Sequence, residues 1–323
     1  MTMQTLRLCL FAALVAASSA IAQAQTFPTQ PIRMIVPYPA GGIADLLARD
    51  VADGLSKIYG QAVIVENKPG AGAHLGAELV VKAPADGYTL MLGTISHHGA
   101  FKMYRNLRYS PATDLLSIAV IAESFNVLMV RESLPVKSVA ELLALARAQP
   151  GRLTYASAGS GSATHMAAEL FKYMAKVDIL AIPFKGGAPG QVALLGGHVD
   201  VNFETAGTAW SAIRTGKVRA LAVTAAARSP SFPDLPAIAD AGVPGYASVP
   251  WYTVATRKGV PSEIVHKLNA DINVVLKSPE LAKRWETLGV VPLGGTPDDA
   301  SRRNQAETKR WEAVIDAARI EVD

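Results

Sequence analysis

Hydrophobic residues along the chain form short continuous runs that alternate with longer stretches in which apolar positions recur every three or four residues. Runs bounded by glycine or proline are typical of buried strands, and the longer stretches are typical of amphipathic helices. Because the two kinds alternate almost throughout, the pattern predicts an α/β fold with mainly parallel sheets. The predicted strands are 32–36, 61–67, 88–93, 126–131, 153–156, 179–184, 199–203, 218–224 and 251–256. The predicted helices are 45–52, 77–83, 139–149, 166–175, 190–195, 209–215, 262–277, 279–288 and 306–318.

A glycine-rich turn, YPAGG at 38–42, separates the first predicted strand from the first predicted helix. Adjacent glycines can adopt positive φ and let a ligand approach the main chain closely. The first amides of the helix have no acceptor within the helix and carry partial positive charge, so a carboxylate or phosphate fits there. The segment SASAGSGSATH, which ends at residue 165, has the same strand, loop and helix order and adds several hydroxyl groups. We therefore predict two facing helix starts that hold a small anion between two lobes.

Two further loops could belong to the same site. Loop 70–76 spaces its glycines as GxGxxxG, one residue longer than a dinucleotide fingerprint, and lacks the acidic residue that the fingerprint needs about 20 positions later. It is interpreted as a tight strand-to-helix turn or as a second wall of the anion site. Loop 94–98 carries His97 and His98, but no acidic or histidine partner lies nearby in sequence to complete a metal site. We expect no nucleotide, metal or other cofactor.

A serine hydrolase is the catalytic alternative. Ser160 or Ser162 could be the nucleophile, with His165 as the base and Asp200 as the residue that orients it. Neither serine lies in a Gly-x-Ser-x-Gly motif, and His165 would lie only one helical turn from Ser162. Helix capping is the simpler interpretation of these hydroxyls, so we expect no catalytic residue.

The N-terminus has the composition of a secretory signal peptide. Arg7 precedes a run of apolar and small residues at 8–21, and AQA at 22–24 fits a cleavage site. The run is short for a membrane anchor, the alternative, which needs roughly 20 apolar residues. We therefore expect residues 1–24 to be removed and the mature protein to reside in the periplasm.

Composition excludes several other classes of site. Cys9 is the only cysteine among the 323 residues and lies inside the predicted signal peptide. The mature chain would therefore have no disulfide, no cysteine ligand and no cysteine nucleophile. The 31 basic and 27 acidic residues are interspersed, and the formal net charge is +4. This balance, without a basic run, argues against nucleic acid and suits a small anionic ligand.

Seven segments follow one another from about residue 27 to the C-terminal part: YPAGGIADLLAR, ENKPGAGAHLGAELV, DGYTLMLGT, YASAGSGSATHMAAELF, IPFKGGAPGQVALLGGHVDVNFE, GKVRALAVTAAARSPSFPDLPAIADAG and VPWYTVATRKGVPSEIV. In this order they resemble Bug proteins, the extracytoplasmic solute receptors of tripartite tricarboxylate transporters. The resemblance implies a fold like that of type II periplasmic binding proteins, with two α/β lobes and a ligand cleft between them. Lobe 1 would comprise 25–124 and 227–323, and lobe 2 would comprise 125–226.

The resemblance also implies a function. Such a receptor performs no chemistry: it captures a small carboxylate between its lobes and delivers it to membrane transporter subunits that it contacts transiently. We expect it to be a monomer. The alternative that the residues leave open is a binding protein coupled to a sensor kinase.

The residues that match the family's ligand contacts lie on loops of both lobes. In lobe 1 they are Tyr38, Ala40, Gly41, Gly42, Asp45, Gly72, Ala73, His74, Thr94, Ser96, His97 and His98. In lobe 2 they are Ser157, Gly159, Ser160, Gly161, Ser162, Thr164, His165, Phe184 and Glu204. We expect the main-chain amides of Gly41, Gly42 and 160–162 to hold one carboxylate of the ligand.

Three positions depart from the family pattern, since Ala73 replaces a glycine, Phe184 a tyrosine and Glu204 an aspartate. Asp45 has an ordinary interpretation as an acid at the start of its helix, whereas Glu204 is expected to face the cleft from a strand end. An acidic group there would pair with an amine or a ring N–H, and Phe184 would favour a ring or a short alkyl chain. These residues predict a monocarboxylate or an amphoteric acid, such as an amino acid or a nicotinate-like acid, over citrate.

Overall fold

The computed structural model describes residues 27–320, so the predicted signal peptide lies outside the described residues. The strands are β1 (Ile32–Val36), β2 (Val63–Asn67), β3 (Thr89–Gly93), β4 (Leu115–Ser124), β5 (Asn126–Arg131), β6 (Thr154–Ser157), β7 (Leu180–Pro183), β8 (Val201–Thr205), β9 (Val218–Val223), β10 (Trp251–Arg257) and β11 (Val290–Pro292). The α-helices are α1 (Ile43–Tyr59), α2 (His74–Lys82), α3 (Ile95–His98), α4 (Pro111–Asp114), α5 (Val139–Ala148), α6 (Ala163–Ala175), α7 (Gly187–Leu195), α8 (Ala206–Ile213), α9 (Ser262–Leu276), α10 (Pro279–Glu286) and α11 (Pro297–Ala318).

Local sequence explains where the helices begin and end. The Ser162 hydroxyl accepts a hydrogen bond from the His165 amide and caps α6. Thr296 and Asp299 form a capping box at the start of α11. Gly60 ends α1 in the left-handed conformation, with φ of +62°, which glycine adopts without a steric penalty.

The strands form two sheets. The first sheet has the order β11-β4-β10-β3-β1-β2, and the second has the order β7-β6-β8-β5-β9. The chain first crosses between the sheets at Phe125, the single residue between β4 and β5. It returns at Pro250, whose carbonyl accepts a hydrogen bond from the Ser124 amide at 2.9 Å, and then enters β10. The two crossing segments therefore lie side by side.

The prediction of mainly parallel sheets is wrong. Parallel pairing joins β1 to β2 and β3, and β6 to β7 and β8, but the other pairings are antiparallel. The reason is the double crossing. After each crossing the chain enters the new sheet with a strand that runs opposite to both of its neighbours. Strand β5 is antiparallel to β8 and β9, and β10 is antiparallel to β3 and β4.

The longest strand, β4, has no counterpart among the predicted elements. Its sequence, LLSIAVIAES, runs into β5 with only Phe125 between them, so no turn residue marks its end. Strand β11 is also missing from the prediction because its three residues are too short for a periodicity. Both strands pair at the same end of the first sheet.

The hydrophobic core is continuous between the two sheets. One cluster contains Ile95 and Trp251 from the first sheet's side, together with Met166 and Phe203 from the second. Helix α11 adds Trp311 to this cluster, so the helix packs against both lobes. The described residues 27–320 include no helix that is both long and apolar enough to cross a membrane.

The proline-rich segment after β9 packs on the second sheet. The Val223 amide donates to Pro236 O at 2.9 Å, and Phe232 stacks on Trp210 with ring centroids 4.4 Å apart. The Tyr246 hydroxyl donates to Ala167 O at 2.9 Å. These contacts favour a lobe boundary near Pro250 rather than at 226 and 227.

Gly54 allows close packing between α1 and α9. A Cβ at position 54 would lie 2.5 Å from Val275 Cγ1. Overpacking costs about 1–3 kcal/mol, and the better helix propensity of alanine returns at most about 1 kcal/mol. Gly54→Ala should therefore lower the free energy of unfolding by about 1 kcal/mol in urea denaturation. Combining it with Val275→Ala should cost less than the sum of the two single changes, and a fully additive loss would contradict the packing argument.

Candidate functional site

A cavity of about 340 Å³ opens between the two sheets, at the ends of several strands. The predicted residues on its wall are Tyr38, Ala40, Gly41, Gly42, Thr94, Ser162, Thr164 and Glu204. The wall residues that were not predicted are Pro39, Ile43, Ala44, Ile95, Ala158, Ala163, Lys185, Gly186, Gly187, Ala188, Pro189, Thr205, Thr208, Pro250, Trp251 and Tyr252. Both glycine loops of the sequence prediction thus contribute to one cavity.

Asp45 holds the first glycine loop in shape from behind the cavity wall. Its carboxylate accepts hydrogen bonds from Gly41 N at 2.9 Å, Arg49 Nε at 3.0 Å and Asn67 Nδ2 at 2.9 Å. Burial raises the pKa of Asp45, but these hydrogen bonds and the charge of Arg49 together hold it below its usual value. Asp45 therefore has the ordinary role at its helix start and is not on the cavity wall.

Three of the amides expected to bind the ligand already have acceptors within their own loops. Gly41 N–H donates to Asp45, Gly161 N–H to His165 Nδ1 at 3.2 Å, and Ser162 N–H to Gly159 O at 3.2 Å. These bonds fix the loops, so the expectation that these amides bind the ligand is corrected.

The amides of the residues that follow each loop, at the starts of α1 and α6, are better placed to donate to a ligand. Ile43 and Ala44 begin α1, and Ala163 and Thr164 begin α6; all four line the cavity. Because they are the first two residues of their helices, their N–H groups have no acceptor within the helix. The Thr164 hydroxyl is engaged, because it accepts from Ala158 N at 2.8 Å and supports the loop.

Glu204 lies on the cavity wall and is buried, with 2% of the residue exposed. Its Oε1 accepts from Thr205 N at 2.9 Å and Thr208 Oγ1 at 2.8 Å. Among the described residues, Oε2 accepts only from Asn202 Nδ2, at 3.3 Å. A Cβ at Gly187 would lie 3.2 Å from Oε1, so the carboxylate is next to the start of α7. Burial raises the pKa of Glu204 further than these hydrogen bonds lower it.

The Lys185–Pro189 loop is the main part of the wall that the sequence prediction left out. Lys185 is exposed and is the only cation among the described residues that line the cavity. Within residues 27–320 its ammonium forms no hydrogen bond or ion pair. The segment KGG after a predicted strand and before a predicted helix repeats the order of the two glycine loops, and this signal could have identified it.

The loop around His74 supports the first lobe instead of lining the cavity. His74 Nδ1 lies 2.7 Å from Tyr109 Oη, and the Ala73 carbonyl accepts from His97 Nε2 at 3.2 Å. Ala73 adopts a φ of +82°, in which a glycine would be unstrained. Gly72 lies against Tyr104, where a Cβ would overlap the phenol oxygen at 1.6 Å. Gly72, Ala73 and His74 are therefore not on the wall.

Residues 95–98, predicted as part of a loop, form the one-turn helix α3. His97 Nδ1 accepts from Thr94 N–H at 3.2 Å, and His98 Nε2 lies 2.9 Å from Thr253 Oγ1. Ser96 donates to Gly161 O at 3.0 Å. Thr94 reaches the cavity, whereas Ser96, His97 and His98 hold the structure behind it.

The remaining predicted residues of the second lobe also lie behind the wall. Phe184 is half-buried, packs against the smaller core cluster of that lobe and is not on the cavity wall. Gly159 adopts a φ of +110°, and Ser160 O accepts from Tyr104 Oη at 2.7 Å. Ser157 is 2% exposed, and its hydroxyl has no partner among residues 27–320. His165 stacks on Tyr155 with ring centroids 6.4 Å apart.

The residues of the hydrolase alternative are engaged elsewhere. The Ser162 hydroxyl accepts from the His165 main-chain amide at 3.3 Å, which is a cap and not a contact with the imidazole. Asp200 binds Arg131 Nε at 2.8 Å and Thr154 N at 2.9 Å. Their partners favour structural roles. In the part of the chain that the structure describes, no group of three or more His, Cys, Asp or Glu residues could hold a metal ion.

Residues 47–320 match the model of a family described as the tripartite tricarboxylate transporter family receptor. The chain belongs to this family. BugT of Bordetella pertussis (strain Tohama I) is 35% identical over 294 residues, which are 90% of each chain. The resemblance to Bug proteins is thereby confirmed, and this chain is a solute-binding receptor of the tripartite transporter type.

Solved structures of similar receptors share the fold. The structure of R. palustris Rpa4515 with adipate is 41% identical, with a TM-score of 0.86, and the match covers 90% of this receptor and 98% of that chain. MatC (Rpa3494) from Rhodopseudomonas palustris with bound malate is 33% identical, with a TM-score of 0.84, covering 90% and 100%. The periplasmic binding protein BugD is 31% identical, with a TM-score of 0.85, covering 91% and 99%. The predicted binding-protein fold is confirmed, and the receptor family is periplasmic.

The buried histidines of the receptor predict a loss of stability in mild acid. Burial lowers the pKa of His74 and His98 to about 3 and that of His97 to about 4. In the unfolded chain they titrate near 6.5, so from pH 7 to 5 the unfolded state binds protons that the native state does not. At pH 5 each would lower the free energy of unfolding by about 2 kcal/mol.

The measurement is urea unfolding of the wild type and His98→Gln at pH 7.5, 6 and 5. The variant should lose less stability on acidification than the wild type. His266→Gln, on the exposed face of α9, is the control and should keep the wild-type dependence. Equal pH dependence for wild type and His98→Gln would contradict the assignment.

Proposed function

We propose that the receptor captures a small carboxylate in this cavity and delivers it to the membrane subunits of a tripartite transporter. The observation that carries the proposal is that α1 of the first lobe and α6 of the second begin on the wall of one cavity. A carboxylate between them would accept hydrogen bonds from the amides of Ile43, Ala44, Ala163 and Thr164. Charge-assisted bonds and two helix dipoles are consistent with micromolar binding, about −8 kcal/mol.

We further propose that the ligand carries a second acidic group that interacts with Lys185. This ammonium lies on the wall, and no carboxylate of the described chain neutralises it. Adipate and malate, the ligands of the two R. palustris receptors, are both dicarboxylates. The raised pKa of Glu204 would lessen the repulsion that a second carboxylate meets on this wall.

The expectation of a monocarboxylate or an amphoteric acid stays a prediction, but fewer residues now support it. Phe184 and Asp45 were two of its three premises, and neither side chain is on the wall. Glu204 remains there, so an acid with an ammonium or hydroxyl group that bonds Glu204 Oε2 is the competing ligand class. Calorimetric titrations with adipate, malate, glutamate and citrate, repeated on Glu204→Gln, would separate the two classes.

The remaining parts of the proposal concern export and assembly. Residues 1–24 would direct export to the periplasm and be removed there. Lobe 1 would comprise 25–124 and the chain from about 250 onward, and lobe 2 would comprise 125–249. The receptor would act as a monomer, which light scattering can test, and perform no chemistry. Genes for two membrane subunits beside its own, rather than a sensor-kinase gene, would favour delivery to a transporter.

Gly42 offers a direct test of the first glycine loop. Its φ of −80° and ψ of 169° suit any residue, and the nearest atom to an added Cβ would be Pro39 O at 3.9 Å. Gly42→Val should therefore keep its thermal midpoint but fill space beside the start of α1, and lower affinity for adipate at least about tenfold by calorimetry. Gly41→Ala is the contrasting variant, because its φ of +84° should cost stability. Normal adipate binding by a folded Gly42→Val protein would place the site elsewhere.

Lys185→Gln tests the second acidic group. Hydrogen bonds to charged groups contribute about 1.5–3 kcal/mol, so affinity for adipate should fall about tenfold or more, whereas affinity for hexanoate should change little. The matched control is Lys217→Gln, an exposed lysine of the second lobe that is not on the cavity wall. An equal loss of affinity for adipate and hexanoate would show that Lys185 does not bind a second carboxylate.

A further inference from the structure

Two side chains of the first lobe hold the second glycine loop through its carbonyl oxygens. Tyr104 Oη donates to Ser160 O at 2.7 Å, and Ser96 Oγ donates to Gly161 O at 3.0 Å. Neither Tyr104 nor Ser96 lines the cavity. These four residues are called the latch below, because their two hydrogen bonds join one lobe to the other.

The first lobe is built to present Tyr104 to the second. The phenol passes Gly72 so closely that a Cβ there would overlap its oxygen at 1.6 Å, and Gly72 itself adopts a φ of +60°. The His74 ring packs edge-on against Tyr104 with centroids 4.5 Å apart, and Tyr109 in turn lies 2.7 Å from His74. The GxGxxxG loop thus has a specific use: it accommodates and supports the tyrosine.

Ser96 connects the latch to the cavity wall. Its hydroxyl proton is directed to Gly161 O, so its oxygen accepts from Tyr38 Oη, 2.9 Å away. Tyr38 lies on the wall and is also 2.9 Å from Thr94 Oγ1. A hydrogen-bonded chain therefore runs from the wall of the first lobe to the second glycine loop.

The two carbonyls directly precede the start of α6. Gly161 is next to the capping residue Ser162, and the amides of Ala163 and Thr164 follow it on the cavity wall. Gly161 also has a φ of +71°, which fixes the direction in which the chain turns into the helix. Holding Ser160 O and Gly161 O therefore orients the anion-binding amides of the second lobe toward those of the first.

We propose that Tyr104 and Ser96 are positioning residues that hold the two lobes together and set how long a carboxylate stays bound. The proposal rests on the proposed function as far as the ligand is concerned, but the lobe contact exists independently of it. Opening the cleft breaks both latch hydrogen bonds, and it also turns the start of α6 away from the start of α1. Loss of the latch should thus accelerate release of the ligand without removing any group that touches it.

The test uses Tyr104→Phe, Ser96→Ala and the double variant of the mature receptor. Phenylalanine keeps the ring against His74 and removes only the hydroxyl. The control is Tyr246→Phe, which removes a tyrosine hydroxyl bond to Ala167 O at 2.9 Å inside the second lobe. Thermal midpoints identify any variant whose effect is a loss of stability alone.

Two measurements are made on each protein. Small-angle X-ray scattering without ligand should give a larger radius of gyration for the double variant than for the wild type and for Tyr246→Phe. Stopped-flow dissociation of adipate should be about 3- to 10-fold faster for each single variant, since one hydrogen bond contributes about that factor. The association rate should change less than the dissociation rate.

The outcomes separate this proposal from the proposed function. If adipate binds no form of the receptor, adipate is excluded as the ligand while the scattering measurement still decides on the latch. A double variant with wild-type scattering, and with wild-type adipate dissociation where adipate binds, would overturn the latch. Faster dissociation in Tyr246→Phe as well would assign the effect to general loosening and likewise overturn it.

Discussion

The first amides of an α-helix have no acceptor within the helix. In this receptor several helices start at the cavity, so the position of these amides governs what the cavity can hold. Five helices of the described chain, α1, α3, α6, α7 and α8, begin at the cavity, because each follows a strand that ends at the same edge of its sheet. Such amides bond to water where they are exposed. Where two lobes enclose them, they need an acceptor from the chain or from a ligand, and an anion suits them best.

The chain itself supplies some of these acceptors. Glu204 receives the Thr205 amide at the start of α8 and lies beside Gly187 at the start of α7. Asp45 accepts the Gly41 amide and so stabilises the loop before α1. The starts of α1 and α6 belong to different lobes, and their first amides lie on the cavity wall without an acceptor in their own helices. Because Glu204 accepts hydrogen bonds from Thr205 and Thr208, a buried acid on the cavity wall is compatible with the proposed binding of an anion.

Local sequence order was sufficient to predict most strands and both glycine loops that line the cavity. It could not predict which residues of a loop face inward, because that depends on contacts between distant segments. Tyr104 is hydrogen-bonded to Ser160, which lies 56 residues later in the sequence, and no local pattern predicts such a contact. The loop at 72–74 was assigned to the ligand because it matches a contact loop of the resembled family, yet Gly72 accommodates the Tyr104 side chain. Lys185 was missed although its KGG context repeats the order used for the other loops.

The crossing between the sheets has a further consequence for motion. Only Phe125 separates β4 from β5, and the return crossing at Pro250 is hydrogen-bonded to Ser124. Each residue contributes two soft dihedrals, so the linkage offers few degrees of freedom and favours a swing about one axis over a sliding movement. In such a swing the cavity would open least beside Trp251, next to the crossing, and most at the opposite side. Whatever holds the two lobes at a fixed angle would therefore also decide whether a solute can leave the cavity.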